Sequence, residues 1–182
     1  MLARNARKLA FISLTRIRLK VNQVNEFKNE KGEIDREGIK KIIPYQEPFL
    51  FIDTVTSLNS NRIVAVKELK GSEDFFKGHF VGFPIMPGAL TMEGMGQAAT
   101  LLARSNIPNH NEKDVLAYKL KEVKFMAPII PPAQVRFEIE LIAQDERGAI
   151  LKGKSFAKEE LVAEALLMLA IVNKAEFRAK YK

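Results

Sequence analysis

Pro87-Gly88-Ala89-Leu90-Thr91-Met92-Glu93-Gly94-Met95-Gly96-Gln97-Ala98-Ala99-Thr100-Leu101-Leu102-Ala103-Arg104 is the stretch that decides the fold. Alanine, leucine and methionine dominate it, all strong helix formers, and proline suits a first helical position, so a helix is predicted over 87–104. Between Ala89 and Ala103 the only charge is Glu93. No face is marked for water, which predicts a buried helix sheathed by a sheet on at least one side. Gly94 and Gly96 weaken such a helix, and close approach of another backbone is expected to compensate.

The sequence around this helix reads as strands. Val135, Phe137, Ile139 and Leu141 alternate with Arg136, Glu138 and Glu140, the period of a strand with one dry and one wet face. Arg62–Leu69 follows the turn formers Asn59-Ser60-Asn61 and is a second strand. Residues 149–158 and 161–172 extend a meander through the charged turn Lys158-Glu159-Glu160, although the Ala-rich 161–172 suits a helix equally well. Asp35 caps a short helix that runs to Ile43 and stops at Pro44. The apolar run Phe49-Leu50-Phe51-Ile52 is expected to be a buried strand.

With 182 residues, 47% of them hydrophobic, the chain is long enough for one packed domain. That content also excludes a wholly disordered chain. Cysteine is absent and His79 and His110 are the only histidines, so disulfides, thiolate chemistry and sulfur-ligated metals are excluded. Asp and Glu show no metal-ligand spacing, and neither a metal nor a cofactor is expected. The net charge of +7 is uneven: residues 1–33 carry +5 and residues 34–182 only +2. The domain is therefore nearly balanced, and nucleic-acid binding is not expected of it. Residues 1–22 mix Arg4, Arg7, Lys8, Arg16, Arg18 and Lys20 with apolar residues and no acid. They read as a basic extension, with an organellar presequence or a membrane-surface helix as alternatives; they do not read as a secretory signal. No run is long enough to span a membrane. Residues 23–33 read as a linker, which places the domain at 34–182 and the protein in the cytoplasm, or in an organelle matrix or stroma if the leader is a presequence.

The chemistry concentrates in residues 75–88, where three glycines and two prolines specify a rigid, irregular loop feeding the helix. His79 stands there among phenylalanines, where partial desolvation favours the neutral imidazole needed of a base. A lone histidine among aromatics is more often a packing residue, but Glu93 changes that balance. A carboxylate in so apolar a helix is costly unless it is paired, hydrogen-bonded or protonated, and Gln97 lies four residues on, within reach on the same face. The backbone N–H of Gly88 at the helix start adds a donor for a carbonyl that gains negative charge. Base, acid and oxyanion donor together fit removal of a proton α to a carbonyl with loss of a β-hydroxyl. His110 lies in a polar segment and is expected to be exposed, and Asp53 reads as structural. Met86, Met92, Met95, Leu101 and Leu102 read as core, with a part of the set available to line an acyl tunnel.

These motifs resemble a known family. Pro44-Tyr45-Gln46-Glu47-Pro48-Phe49-Leu50-Phe51-Ile52-Asp53, Phe76-Lys77-Gly78-His79-Phe80, Pro84-Ile85-Met86-Pro87-Gly88, Met92-Glu93-Gly94-Met95-Gly96-Gln97-Ala98 and Val123–Pro131 are similar, in order and spacing, to the 3-hydroxyacyl-[acyl-carrier-protein] dehydratases of the FabZ type. The resemblance implies an α+β hot-dog fold, an antiparallel sheet wrapped around a long helix, and it makes 161–172 a strand. It also implies a homodimer with shared active sites, assembled as a trimer of dimers, in which His79 of one subunit faces Glu93 of the other. By the same likeness His79 removes the C2 proton, Glu93 protonates the departing hydroxyl, Gly88 N–H binds the thioester oxygen, and no cofactor takes part. The acyl pocket is expected at Phe80, Pro84, Ile85, Met86 and Met92.

Three positions depart from the pattern: Tyr45-Gln46 stands where the family shows His-Arg, and Val81 where it shows proline. Glu93 favours dehydration without isomerisation, since related isomerising enzymes carry Asp there. Two other activities share this fold, hydrolysis of acyl thioesters and non-catalytic acyl-thioester binding. The partner implied is acyl carrier protein, whose acidity calls for basic residues at the pocket mouth.

Overall fold

A computed structural model describes residues 24 and 26–182. The basic segment 1–22, read as an extension or presequence, lies outside the described residues. Val24 and Phe27, from the stretch read as linker, lie against the core.

The strands form one six-stranded antiparallel sheet in the order β1-β2-β4-β5-β6-β3. They span Thr54–Leu58 (β1), Arg62–Leu69 (β2), Lys113–Phe125 (β3), Ala133–Gln144 (β4), Gly148–Ala157 (β5) and Glu160–Asn173 (β6). The sheet curls around α2 (Gly88–Ser105), while α1 (Arg36–Ile42) packs on α2 and α3 (Lys174–Lys180) closes the chain. This is the α+β hot-dog architecture.

Alternation explains the sheet. In β4, Val135, Phe137 and Ile139 are fully buried against α2, while Arg136, Glu138 and Glu140 face outward. Glu138 pairs there with Arg62 and Arg136. Residues 160–173 are strand, paired to both β5 and β3. Lys158 and Glu159, with φ of 49° and 62°, make the tight turn before it.

From Gln97 to Arg104 every residue of α2 is buried. Pro87 caps this helix from an extended conformation rather than occupying its first turn. The close approach at Gly94 comes from a side chain rather than from backbone: a Cβ there would lie 2.2 Å from the Phe137 ring. At Gly96 nothing lies within 4 Å, and the structure gives no packing reason for that glycine.

Phe49–Ile52 is not a strand. Leu50 and Ile52 are buried, but the segment enters from a turn in which Gln46 O accepts from Phe49 N and Leu50 N, and it pairs with no strand among the described residues. Side chains take the place of a ladder. Gln97 Oε1 accepts from Phe51 N at 2.8 Å and Ile52 N at 3.4 Å, and Gln97 Nε2 donates to Phe49 O at 2.9 Å. Asp53, just beyond, accepts from Arg36, Lys67 Nζ and Glu68 N, a structural role.

His110 is half-buried rather than exposed, in a short 3-10 turn where its Nδ1 accepts from Arg104 Nη2 at 3.3 Å. No helix among the described residues is long and apolar enough to cross a membrane.

Candidate active site

The loop from Gly78 to Pro87 carries His79 to the start of α2. His79 N donates to Phe75 O, Ile85 N donates to His79 O, and Phe80 and Phe83 exchange both backbone hydrogen bonds. Gly82, at φ 77°, makes that last turn possible. Met86 N then donates to Ile129 O, which fastens the loop to the segment after β3.

The imidazole stacks on Phe80 at 4.0 Å, and its Nδ1 lies 2.8 Å from Ile85 O. A carbonyl only accepts, so the proton of the neutral ring is on Nδ1 and Nε2 keeps its lone pair. The side chain that could act as a base therefore has its tautomer fixed by the backbone.

His79 and Gly88 line one cleft of about 490 Å³. Gly88 is the first residue of α2, so its N–H has no acceptor within the helix. A Cβ there would lie 2.9 Å from the Phe125 ring, so a side chain at this position would push that ring from the cleft. Ile85 and Met86 line the cleft, with Thr91, Phe125, Met126, Pro128, Val162 and Ala163. Phe80, Pro84 and Met92 are not among its lining residues: Phe80 is 53% exposed, and Met92 packs partly buried against the core. The walls from Phe125 to Pro128 and at Val162 and Ala163 were missed because nothing local in those stretches marks a pocket; only the pairing of β3 with β6 brings them to His79.

Glu93 is also absent from the lining of that cleft. Its half-buried carboxylate accepts from Gln97 Nε2 at 2.8 Å through Oε1. Tyr45 is half-buried and meets Phe49 edge-on at 5.2 Å. Burial pushes its phenol above the ordinary value, and the nearby Glu93 carboxylate pushes the same way. Gln46 is exposed, and Val81 is 88% exposed at the tip of the His79 loop.

Residues 43–166 match the model of the FabA-like domain. The chain belongs to the FabA-like family. The 3-hydroxyacyl-[acyl-carrier-protein] dehydratase FabZ of Koribacter versatilis is 38% identical over 78% of this chain and 92% of its own length. FabZ of Symbiobacterium thermophilum is also 38% identical, over 74% of this chain and 95% of its own. Among solved structures, the dehydratase heterocomplex ApeI:P of Xenorhabdus doucetiae superposes with a TM-score of 0.66 at 16% identity, covering 79% of this chain and 97% of that one. At that identity the likeness speaks for the hot-dog fold alone. This FabA-like chain thus has the family's architecture, with His79 and Gly88 lining one cleft and Glu93 held on α2 by Gln97.

Proposed function

We infer that this protein converts 3-hydroxyacyl-[acyl-carrier-protein] to the trans-2-enoyl thioester with loss of water, a lyase step of fatty acid biosynthesis. The observation that carries the reading is His79 Nε2, unengaged by its Nδ1 contact, in the same cleft as the free N–H at the start of α2. His79 Nε2 takes the C2 proton while the thioester oxygen, gaining enolate charge, is held by Gly88 N–H. The C2–H electron pair becomes the C2=C3 bond, the C3–O bond breaks, and Glu93 gives its proton to the leaving hydroxyl. One proton is removed and one supplied, and nothing is oxidised or reduced, so the reaction balances without a cofactor.

Glu93 must then reach the cleft from a second copy of the chain, and β3 supports that arrangement. With β1 it is one of the two edge strands of the sheet, and from Leu116 to Glu122 it is exposed, with Tyr118 at 73% and Leu120 at 44%. Apolar side chains on an open edge strand invite pairing with another chain. The family resemblance supports a homodimer in which His79 of one subunit faces Glu93 of the other, assembled as a trimer of dimers and working in the cytoplasm.

The test is incubation with a chain-length series of 3-hydroxyacyl carrier-protein thioesters and mass analysis of the products. The enoyl product is expected, and His79→Ala and Glu93→Gln should each lower turnover by about 100-fold or more. Persistence of activity in both variants refutes the base and acid roles of these two residues, and release of free thiol in place of enoyl thioester points to a thioesterase.

A further inference from the structure

We propose that Arg36, outside the family-matched residues 43–166, is a positioning residue for Glu93 and acts through segment 49–52 and Gln97. The inference rests on the reading of Glu93 as the acid.

Segment 49–52 is gripped by two side chains. Gln97, only 1% exposed, holds Phe49 O, Phe51 N and Ile52 N from the core. Arg36 holds two further carbonyls: Nη2 donates to Leu50 O at 2.7 Å and Nη1 to Ile52 O at 3.3 Å. The guanidinium is itself fixed by Glu47, which accepts from Nη2 at 2.7 and 2.8 Å, and by Asp53. Nε donates to Glu47 Oε1 as well, at 3.2 Å, so every donor direction of the fork is used, and a lysine could not reproduce it.

The consequence runs inward. A primary amide has two N–H groups and one oxygen, and all are engaged: the oxygen by Phe51 N and Ile52 N, one N–H by Phe49 O, the other by Glu93 Oε1. The orientation of the amide is dictated by the segment, and it in turn dictates where the Glu93 carboxyl points. Without a ladder, Arg36 is what holds the segment's far side against Gln97. Arg36 delivers this guanidinium to the stretch from α1.

The test uses the full chain and steady-state kinetics with a 3-hydroxyacyl thioester, well below each variant's melting temperature. R36M is expected to lower kcat by about tenfold with KM within about twofold, the signature of a misaimed group rather than lost substrate binding. R36M added to Q97A should cost little more than Q97A alone, because both break one path. Wild-type kcat in R36M, or losses that multiply fully in the double variant, would overturn the proposal. If R36M does not fold, R36K decides: it keeps a cation beside Asp53 but cannot grip both carbonyls, so a lowered kcat supports the path and an unchanged one refutes it. E93Q separates the two readings. Inactive E93Q with normal R36M defeats only the role of Arg36, whereas an E93Q that turns over normally defeats the assignment of Glu93 itself.

Discussion

Segments 135–141 and 49–52 are both rich in branched and aromatic residues, and both bury part of them against α2, yet their backbones are satisfied in opposite ways. Along 135–140 the backbone pairs with β2 on one side and β5 on the other. In 49–52 there is no ladder, and Gln97 and Arg36 stand in for the neighbouring strands. A laddered strand shares its load over many equivalent bonds, so loss of one side chain is felt as lost packing. A clamped segment depends on two side chains, one of which also holds Glu93, so its failure reaches the chemistry. The other end of α2 repeats the second arrangement: Arg104 donates to Ile42 O at 2.5 Å and to Lys113 O at 2.8 Å, tying α1 and β3 to the helix.

The largest expected effect lies in the laddered region. Phe137 is fully buried, with its ring against Gly94. Phe137→Ala should cost about 3–5 kcal/mol, read by chemical denaturation, through lost burial and the cavity left behind. Because the ladder survives, the secondary-structure signal of the folded state should be unchanged. A loss under about 1 kcal/mol would mean that the ring is not the support of α2. Next comes the clamp: Gln97→Leu keeps the volume and removes the amide, orphaning Phe51 N and Phe49 O at a cost of about 2–3 kcal/mol. Unlike Phe137→Ala, it should also depress kcat at temperatures where the variant is fully folded. Equal stability loss with wild-type kcat would erase the distinction between the two regions.

The same contrast explains what was legible beforehand. β4 announced itself because burial on one face writes a period of two into Val135–Leu141, and α2 because its apolar run is too long for a strand. Phe49–Ile52 carries strand-like composition without a partner, and composition cannot reveal that a glutamine 45 residues later supplies the missing hydrogen bonds. β3 was illegible for a different reason: beyond Asp114 and Val115 it buries almost nothing within one chain, so no alternation is imposed on its sequence. In the site, the i,i+4 spacing made the Gln97–Glu93 contact readable. His79 and Gly88 were readable as loop and helix start, whereas nothing local marks Arg36, whose partners lie 11 to 17 residues along the chain.

The smallest effect tests the clamp at Arg104. Burial holds the His110 imidazole below its ordinary value, and the Arg104 guanidinium adds to this, against a smaller opposing pull from Glu26. The folded state therefore favours neutral His110, whose Nδ1 accepts from Arg104. Below about pH 6.5 the unfolded chain takes up this proton before the folded one does. Stability contributed at this position is accordingly present above about pH 6.5 and declines as the pH falls toward the folded-state value; protonation both blocks the acceptor and sets a second cation beside Arg104. Melting temperature followed from about pH 7.5 to 5 should fall more steeply for wild type than for His110→Gln, which keeps an acceptor that does not titrate. Parallel curves would show that Arg104 holds Ile42 and Lys113 without help from the histidine, leaving this end of the helix clamped by one side chain where the Gln97 end needs two.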